Sequence, residues 1–407
     1  VNDSSLQEGR PSAAATVLLL GISELIPVGH GPFLEHLEAL GWRAVICAEQ
    51  IAPRLRARAW KVLEVNPEDA GAVLKAVEGL RFDAVLPLCD ATVGTAAVLG
   101  KAWQLPHASP STSTLCLSKT RLKQTLLLAG VPTPAFQELP VAAVTQGSAA
   151  VDLPPPWICK PVRSMGGSVG VFAAADASEL SNGLRLLAEH YDREVLLEPL
   201  LQGTEHSLEV IVQHGRAKIL SISDKVNYPG HASVVQSLQF PGPIGWSHVE
   251  ALGQAVARLP QALQLDDGVL HIEFLITEAG PFLIDLSLRP GGSYNLHPIA
   301  RLSTGWDYVA MLLALFRGER TLPARGRPAG CLAWHFFDPQ LLVTEARQRM
   351  PALRSQPDVI TAELLHDGQP QRPLLQDGDR PGFVLVLGQE CSRVMQRAEA
   401  LAKSLYT

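Results

Sequence analysis

The stretch from His271 to Gly292, HIEFLITEAGPFLIDLSLRPGG, holds two apolar runs joined by a short turn, each interrupted by one carboxylate. Side chains alternate across a strand, so pairing the runs across a turn at Thr277 to Gly280 sets Glu273 opposite Asp285 and His271 opposite Ser287. One face then carries His271, Glu273, Asp285, Ser287 and Arg289. Ile272, Phe274, Ile276, Ile284, Leu286 and Leu288 fill the other. Directly opposed carboxylates lie about 5 Å apart at their β-carbons and destabilise a sheet unless positive charge stands between them. A hard divalent cation meets that need, because Mg²⁺ takes one or two carboxylates and completes its shell with water and phosphate oxygens. Arg289 adds a forked cation suited to carboxylate or phosphate, and Gly291 and Gly292 bring bare backbone to the same face. The competing reading is a solvated sheet face on which Arg289 neutralises both acids.

At 407 residues the chain has length for two or three domains and a sizeable core. Its 34 basic and 40 acidic residues leave a formal charge of -6 with no long block of either sign. That pattern carries no nucleic-acid or membrane footprint and fits a small, dissolved partner. The six cysteines lack CxxC or metal-ligand spacing, which predicts reduced, buried thiols and a cytoplasmic setting. AAATVLLLG is too short to span a bilayer and reads as a strand.

From Thr16 the chain alternates strand and helix: TVLLLG, GPFLEHLEALGW with Phe33, Leu34, Leu37 and Leu40 on one face, RAVICAE, FDAVLPLC and TVGTAAVLGKAW. This predicts a parallel, Rossmann-like α/β domain over residues 16–110, preceded by a disordered tail at 1–15. A linking helix follows over 111–132, with Ser118 as N-cap and a Gly-Val-Pro stop. WICKPV is a short apolar strand carrying Lys160, and RSMGGSVGV is a glycine loop between β-prone flanks. A plain hairpin turn would explain that loop. It is not a P-loop, since no Lys-Ser/Thr follows the glycines, but its amides and hydroxyls could cradle phosphate as an anion nest. Asp176 opens a helix with Glu179 three residues on, and EHSLEVIVQHGRAKILSIS reads as a hairpin turning at His214-Gly215.

In order along the chain, a helix-borne Lys119, the strand Lys160, the glycine loop, LLEPLLQGTE and the carboxylate hairpin resemble the ATP-grasp superfamily. The likeness is to its carboxylate-amine ligases, such as the L-amino acid ligases that make dipeptides. The resemblance implies an α/β fold with α+β character in its catalytic part. The Rossmann-like domain would be followed by a lid over 133–202 and a catalytic mixed sheet over 203–407, with a closing unit from about 331. It implies ATP and Mg²⁺, with Mn²⁺ a substitute.

Lys119 and Lys160 match the phosphate-contacting lysines, and Met165, Gly166, Gly167 and Ser168 the mobile loop over the phosphates. Glu198, with backbone through Leu200, matches the adenine hinge, and Glu205 the acid that holds the ribose. Glu273 and Asp285 match the metal ligands, with Ser287 where an asparagine is more usual. Asp285 is shorter than the usual glutamate and Ser287 a poorer ligand, which favours one ion over two.

Arg289 matches the arginine that steadies the acyl-phosphate and the tetrahedral adduct, making Arg289, Lys160 and Glu273 the catalytic set. Gly291, Gly292, Ser293, Lys225 and His231 are placed against substrate, and His231, Tyr294, His297 or Glu273 could take the amine's proton. The implied reaction joins a small-molecule carboxylate to an amine through an acyl-phosphate, with ADP released. A homodimer is the expected assembly. The rivals are a purine-pathway or carboxylase-type ligase and an ATP-binding regulatory module without turnover.

Overall fold

The computed structural model describes residues 14–22, 30–146, 150–163, 166–191, 193–292, 294–320, 322–366 and 372–406. Three sheets organise it. The first contains β1 (Ala15–Leu20), β2 (Trp42–Cys47), β3 (Lys61–Leu63) and β4 (Ala84–Pro87), in the order β3-β2-β1-β4 and parallel throughout. Its strands are near-continuous apolar runs because helices cover both faces. Phe33, Leu34 and Leu37 dock the helix His30–Ala39 on one of them, whereas Leu40, expected on the same face, lies beyond its end and is exposed.

The second sheet, in the order β5-β8-β6-β7, is antiparallel and contains β5 (Gln137–Pro140), β6 (Trp157–Pro161), β7 (Phe172–Ala174) and β8 (Glu194–Pro199). The helix Ala177–Ala188 packs beside it, with Asp176 as N-cap accepting from Ser178 and Glu179 N–H. Ser118 caps the helix Lys119–Leu128, and Gly130 follows in the left-handed region at φ 69°.

The third sheet has eight strands: β9 (Thr204–Gln213), β10 (Arg216–Asn227), β11 (Val235–Phe240), β12 (Gly268–Thr277), β13 (Gly280–Ser287), β14 (Cys331–Phe336), β15 (Val359–Leu364) and β16 (Gly382–Gly388). Their order is β13-β12-β9-β10-β11-β14-β16-β15. The β9–β10 hairpin turns at His214 and Gly215, both with positive φ. β11 is a strand that the apolar pattern of the sequence does not announce. The C-terminal strands extend this same sheet, with the helices Val343–Arg354 and Cys391–Lys403 packed on them. A helix from Tyr308 to Phe316 is buried all round, as its apolar composition requires.

The cysteine expectation needs correcting. Cys331 on β14 and Cys391 form a disulfide with Cα atoms 5.1 Å apart, while Cys47, Cys89, Cys116 and Cys159 are free. Local spacing held no sign of it, because packing of the last helix on the sheet brings the two together across 60 residues.

Candidate active site

The carboxylate hairpin forms in the expected register at its centre: His271 pairs with Ser287 and Glu273 with Asp285. A turn closing at Thr277 and Gly280 would by strict alternation set Glu273 against Ile284. A β-bulge at Ile284 shifts the register by one and restores Asp285 to that place. Ile284 is thereby taken out of the core face, where alternation had put it, and lines a cavity. Its carbonyl accepts from Lys160 Nζ at 3.1 Å.

That cavity, about 460 Å³, lies where all three sheets meet. Asp90 reaches it from the loop after β4, and Lys119 from the first turn of its helix. Lys160, Gly166, Gly167 and Ser168 enter from the second sheet, and Glu205, Lys225, Glu273, Asp285, Ser287, Arg289, Gly291 and Gly292 from the third. Met165 and Ser293 lie outside the described residues.

Each acid of the hairpin has its own ammonium partner. Lys225 Nζ donates to Glu273 Oε1 at 2.7 Å and to Glu205 Oε1 at 2.5 Å, while Lys119 Nζ donates to Asp285 Oδ1 at 2.5 Å. Burial works to raise the Asp285 carboxyl, but Lys119 and Lys160 overcome it and hold Asp285 far below the ordinary range. Lys225 is held protonated against its burial by the two glutamates. The hydrogen bonds of Glu273 and Asp285 use Oε1 and Oδ1, which leaves Oε2 and Oδ2 for a hard cation. The donor set therefore fits a magnesium-type ion.

Three further networks brace the cavity. Glu198, 1% exposed, lies between Lys123 at 2.6 Å and Lys160 at 2.9 Å. Burial pushes Lys123 down to about 8, whereas the two lysines keep Glu198 below the ordinary carboxylate range against its burial. Glu209 accepts from Tyr308 Oη at 2.9 Å, Gly291 N at 3.0 Å and the His271 ring at 2.8 Å. Arg289 Nη2 donates to Asp90 Oδ2 at 2.7 Å, and Arg289 Nη1 to the Pro290 carbonyl.

The glycine loop is folded over the cavity. Gly166, Gly167 and Ser168 all have positive φ, a conformation that favours glycine at the first two. Ser168 Oγ donates to the Ser233 carbonyl at 2.7 Å, and Asp377 N donates to the Gly167 carbonyl at 3.1 Å.

Three expected site residues stand elsewhere. The Glu198 carboxylate, expected in an adenine-facing hinge, is the counter-ion of Lys123 and Lys160 and does not line the cavity. Leu200 follows β8 with its N–H on the Pro156 carbonyl. His231 sits in a turn with its N–H on the Tyr228 carbonyl and its ring edge-on to Tyr228. Of the four groups considered for the amine's proton, Glu273 and Tyr294 line the cavity; His297 stacks on His36 at 4.2 Å.

Asp90, Lys123 and Glu209 escaped the sequence reading. Asp90 had a usable signal, since ligands bind beyond the carboxyl ends of strands in open parallel sheets. Lys123 stands four residues after Lys119 on one helical face.

Residues 153–295 match the ATP-grasp domain family. The chain carries an ATP-grasp domain. The ATP-grasp fold extends over the remainder too: the L-amino acid ligase from Bacillus licheniformis superposes with a TM-score of 0.75 at 20% identity, covering 97% of this chain and 98% of that one. N5-carboxyaminoimidazole synthetase from Staphylococcus aureus, complexed with ADP, superposes equally well, at TM-score 0.74 and 16% identity over 95% and 97% of the two chains. In sequence, human carnosine synthase 1 is 27% identical over 335 residues, 76% of this chain and 39% of that protein. The chain spans about half or less of the length of that relative and of two others.

Proposed function

We propose that the chain is an ATP-dependent, ADP-forming ligase that joins the carboxylate of one amino acid to the amine of another through an acyl-phosphate. The observation that carries this reading is the meeting, in one cavity, of the opposed Glu273–Asp285 pair with Lys119, Lys160 and Arg289 under a glycine loop. Fold alone does not separate it from the purine-pathway reading, because both kinds of protein superpose about equally well. Sequence favours amino acids: carnosine synthase 1 and D-alanine–D-alanine ligase are both 27% identical over the matched residues.

Phosphoryl transfer of this kind needs positioning and charge neutralisation more than covalent help. Lys119 and Lys160 hold the terminal phosphates, and Gly166 to Ser168 cover them. Mg²⁺, or Mn²⁺ in its place, would be held by Glu273 and Asp285 with Ser287 alongside, and would supply neutralisation of phosphate charge. Arg289, fixed by Asp90, orients the reacting carboxylate and steadies charge on the tetrahedral adduct. The folded glycine loop excludes water, which would otherwise hydrolyse the acyl-phosphate.

Purified chain is expected to release ADP and phosphate only when Mg²⁺ and suitable amino acids are both present, with a dipeptide detected by mass spectrometry. Release of AMP would replace this reading with adenylylating chemistry. No turnover across broad amino-acid pools, with ATP still bound, would favour a regulatory module.

A further inference from the structure

The cavity has an apolar end that phosphate chemistry does not require. On β14, Ala333 packs with Val384 and Val386 against the C-terminal helices. Leu332, Trp334 and Phe336 belong to the opposite face, with Phe383 and Leu385. The rings are thus confined to one side of the sheet. Tyr294, just beyond the Gly291-Gly292 pair, completes the group.

Trp334 is the part-exposed ring, and three buried rings fix it from behind. Its centroid lies 5.0 Å from Phe336, 5.5 Å from Tyr294 and 5.6 Å from Phe383, the last two edge-on. Such edge-on packing is a favoured aromatic geometry, so this wall keeps its shape without a ligand.

Its charge is also closed off. The Arg380 guanidinium lies 3.6 Å over the Phe336 ring and is paired with Asp377 at 3.3 Å, with further bonds to the Asp377 and Val235 carbonyls. A charged side chain brought here would lose water and find the Arg380 guanidinium already paired with Asp377.

We propose that Trp334, backed by Tyr294, Phe336 and Phe383 and flanked by Leu365, forms the side-chain subsite for one of the two amino-acid substrates and selects a large, uncharged apolar or aromatic side chain. This rests on the ligase reading above.

The test is ADP release by the full chain with ATP and Mg²⁺, across all pairs drawn from phenylalanine, leucine, methionine, alanine, serine and aspartate. The expected result is a kcat/KM for phenylalanine or leucine at least about tenfold above that for alanine or serine. Trp334→Ala should narrow that ratio to below about threefold, and Trp334→Leu serves the same comparison should the alanine variant not fold. A flat profile, a preference for small or charged side chains, or an unchanged ratio in the variant would overturn the subsite and leave the ligase reading standing. Absence of ADP release from every pair by the unaltered chain would overturn both.

Discussion

Asp90 Oδ2 stands 2.7 Å from Arg289 Nη2, an ion pair that ties the loop after β4 to the end of the carboxylate hairpin. Asp90 is 3% exposed, and burial alone would raise its carboxyl. Arg289 and a hydrogen bond from Ser287 reverse that and keep it ionised. The N-terminal domain thus sets the direction of the guanidinium that the proposed chemistry depends on.

Asp90→Asn keeps the shape and removes the charge. It should lower kcat by about 100-fold, the scale of a small misplacement of a reacting group, and leave the ATP Kd within a few-fold. Arg289→Ala should abolish product with the same retention of nucleotide. An equal loss of ATP binding, by calorimetry, would make Arg289 a nucleotide ligand instead of the group that steadies the acyl intermediate.

Glu198 holds two buried ammonium groups. Glu198→Ala should therefore destabilise the fold by roughly 3–5 kcal/mol, as expected when one partner of a buried pair is deleted. Lys123→Met on that background should recover part of the loss. Urea midpoints of the single variant, the double variant and the unaltered chain decide it, and a Glu198→Ala midpoint equal to that of the unaltered chain would contradict the assignment.

Gly291 has no room for a side chain: a Cβ would clash with Glu209 Oε1 and lie 2.8 Å from His271 Nδ1. Glu209 is itself held by Tyr308 and cannot step aside. Gly291→Ala should cost about 1–3 kcal/mol of stability and misplace the backbone beside Arg289, whereas Gly292→Ala, with open space around it, should be near neutral. Thermal unfolding of the pair gives the comparison.

His107 has both ring nitrogens shut away from water, and burial holds it neutral with a pKa lowered to about 4. Above its ordinary value of 6.5 it is neutral in both folded and unfolded chains, so it contributes no pH dependence there. Between 6.5 and about 4 the unfolded chain takes up a proton that the folded chain refuses, and stability falls as pH falls. The loss is at most about 1.4 kcal/mol per pH unit. His107→Phe keeps the stack on Phe316, which stands at 5.2 Å, and should flatten this slope in denaturant titrations between pH 7 and 5.

By itself the sequence determined what acts over a few residues. Apolar runs fixed the parallel strands, Ser118 and Asp176 fixed helix starts, and period-two alternation marked one polar face on each strand of the hairpin, although Glu273 meets Asp285 only because a bulge at Ile284 shifts the register. Even there the bulge at Ile284 was not legible, since it depends on how turn and partner strand fit together. Only the tertiary structure decided which cation meets which acid. Lys225 lies 48 residues from Glu273, Lys119 166 from Asp285 and Asp90 199 from Arg289. Pairings over such separations follow from the way three sheets converge on one cavity, where burial forces each charge to find a partner that no local pattern records.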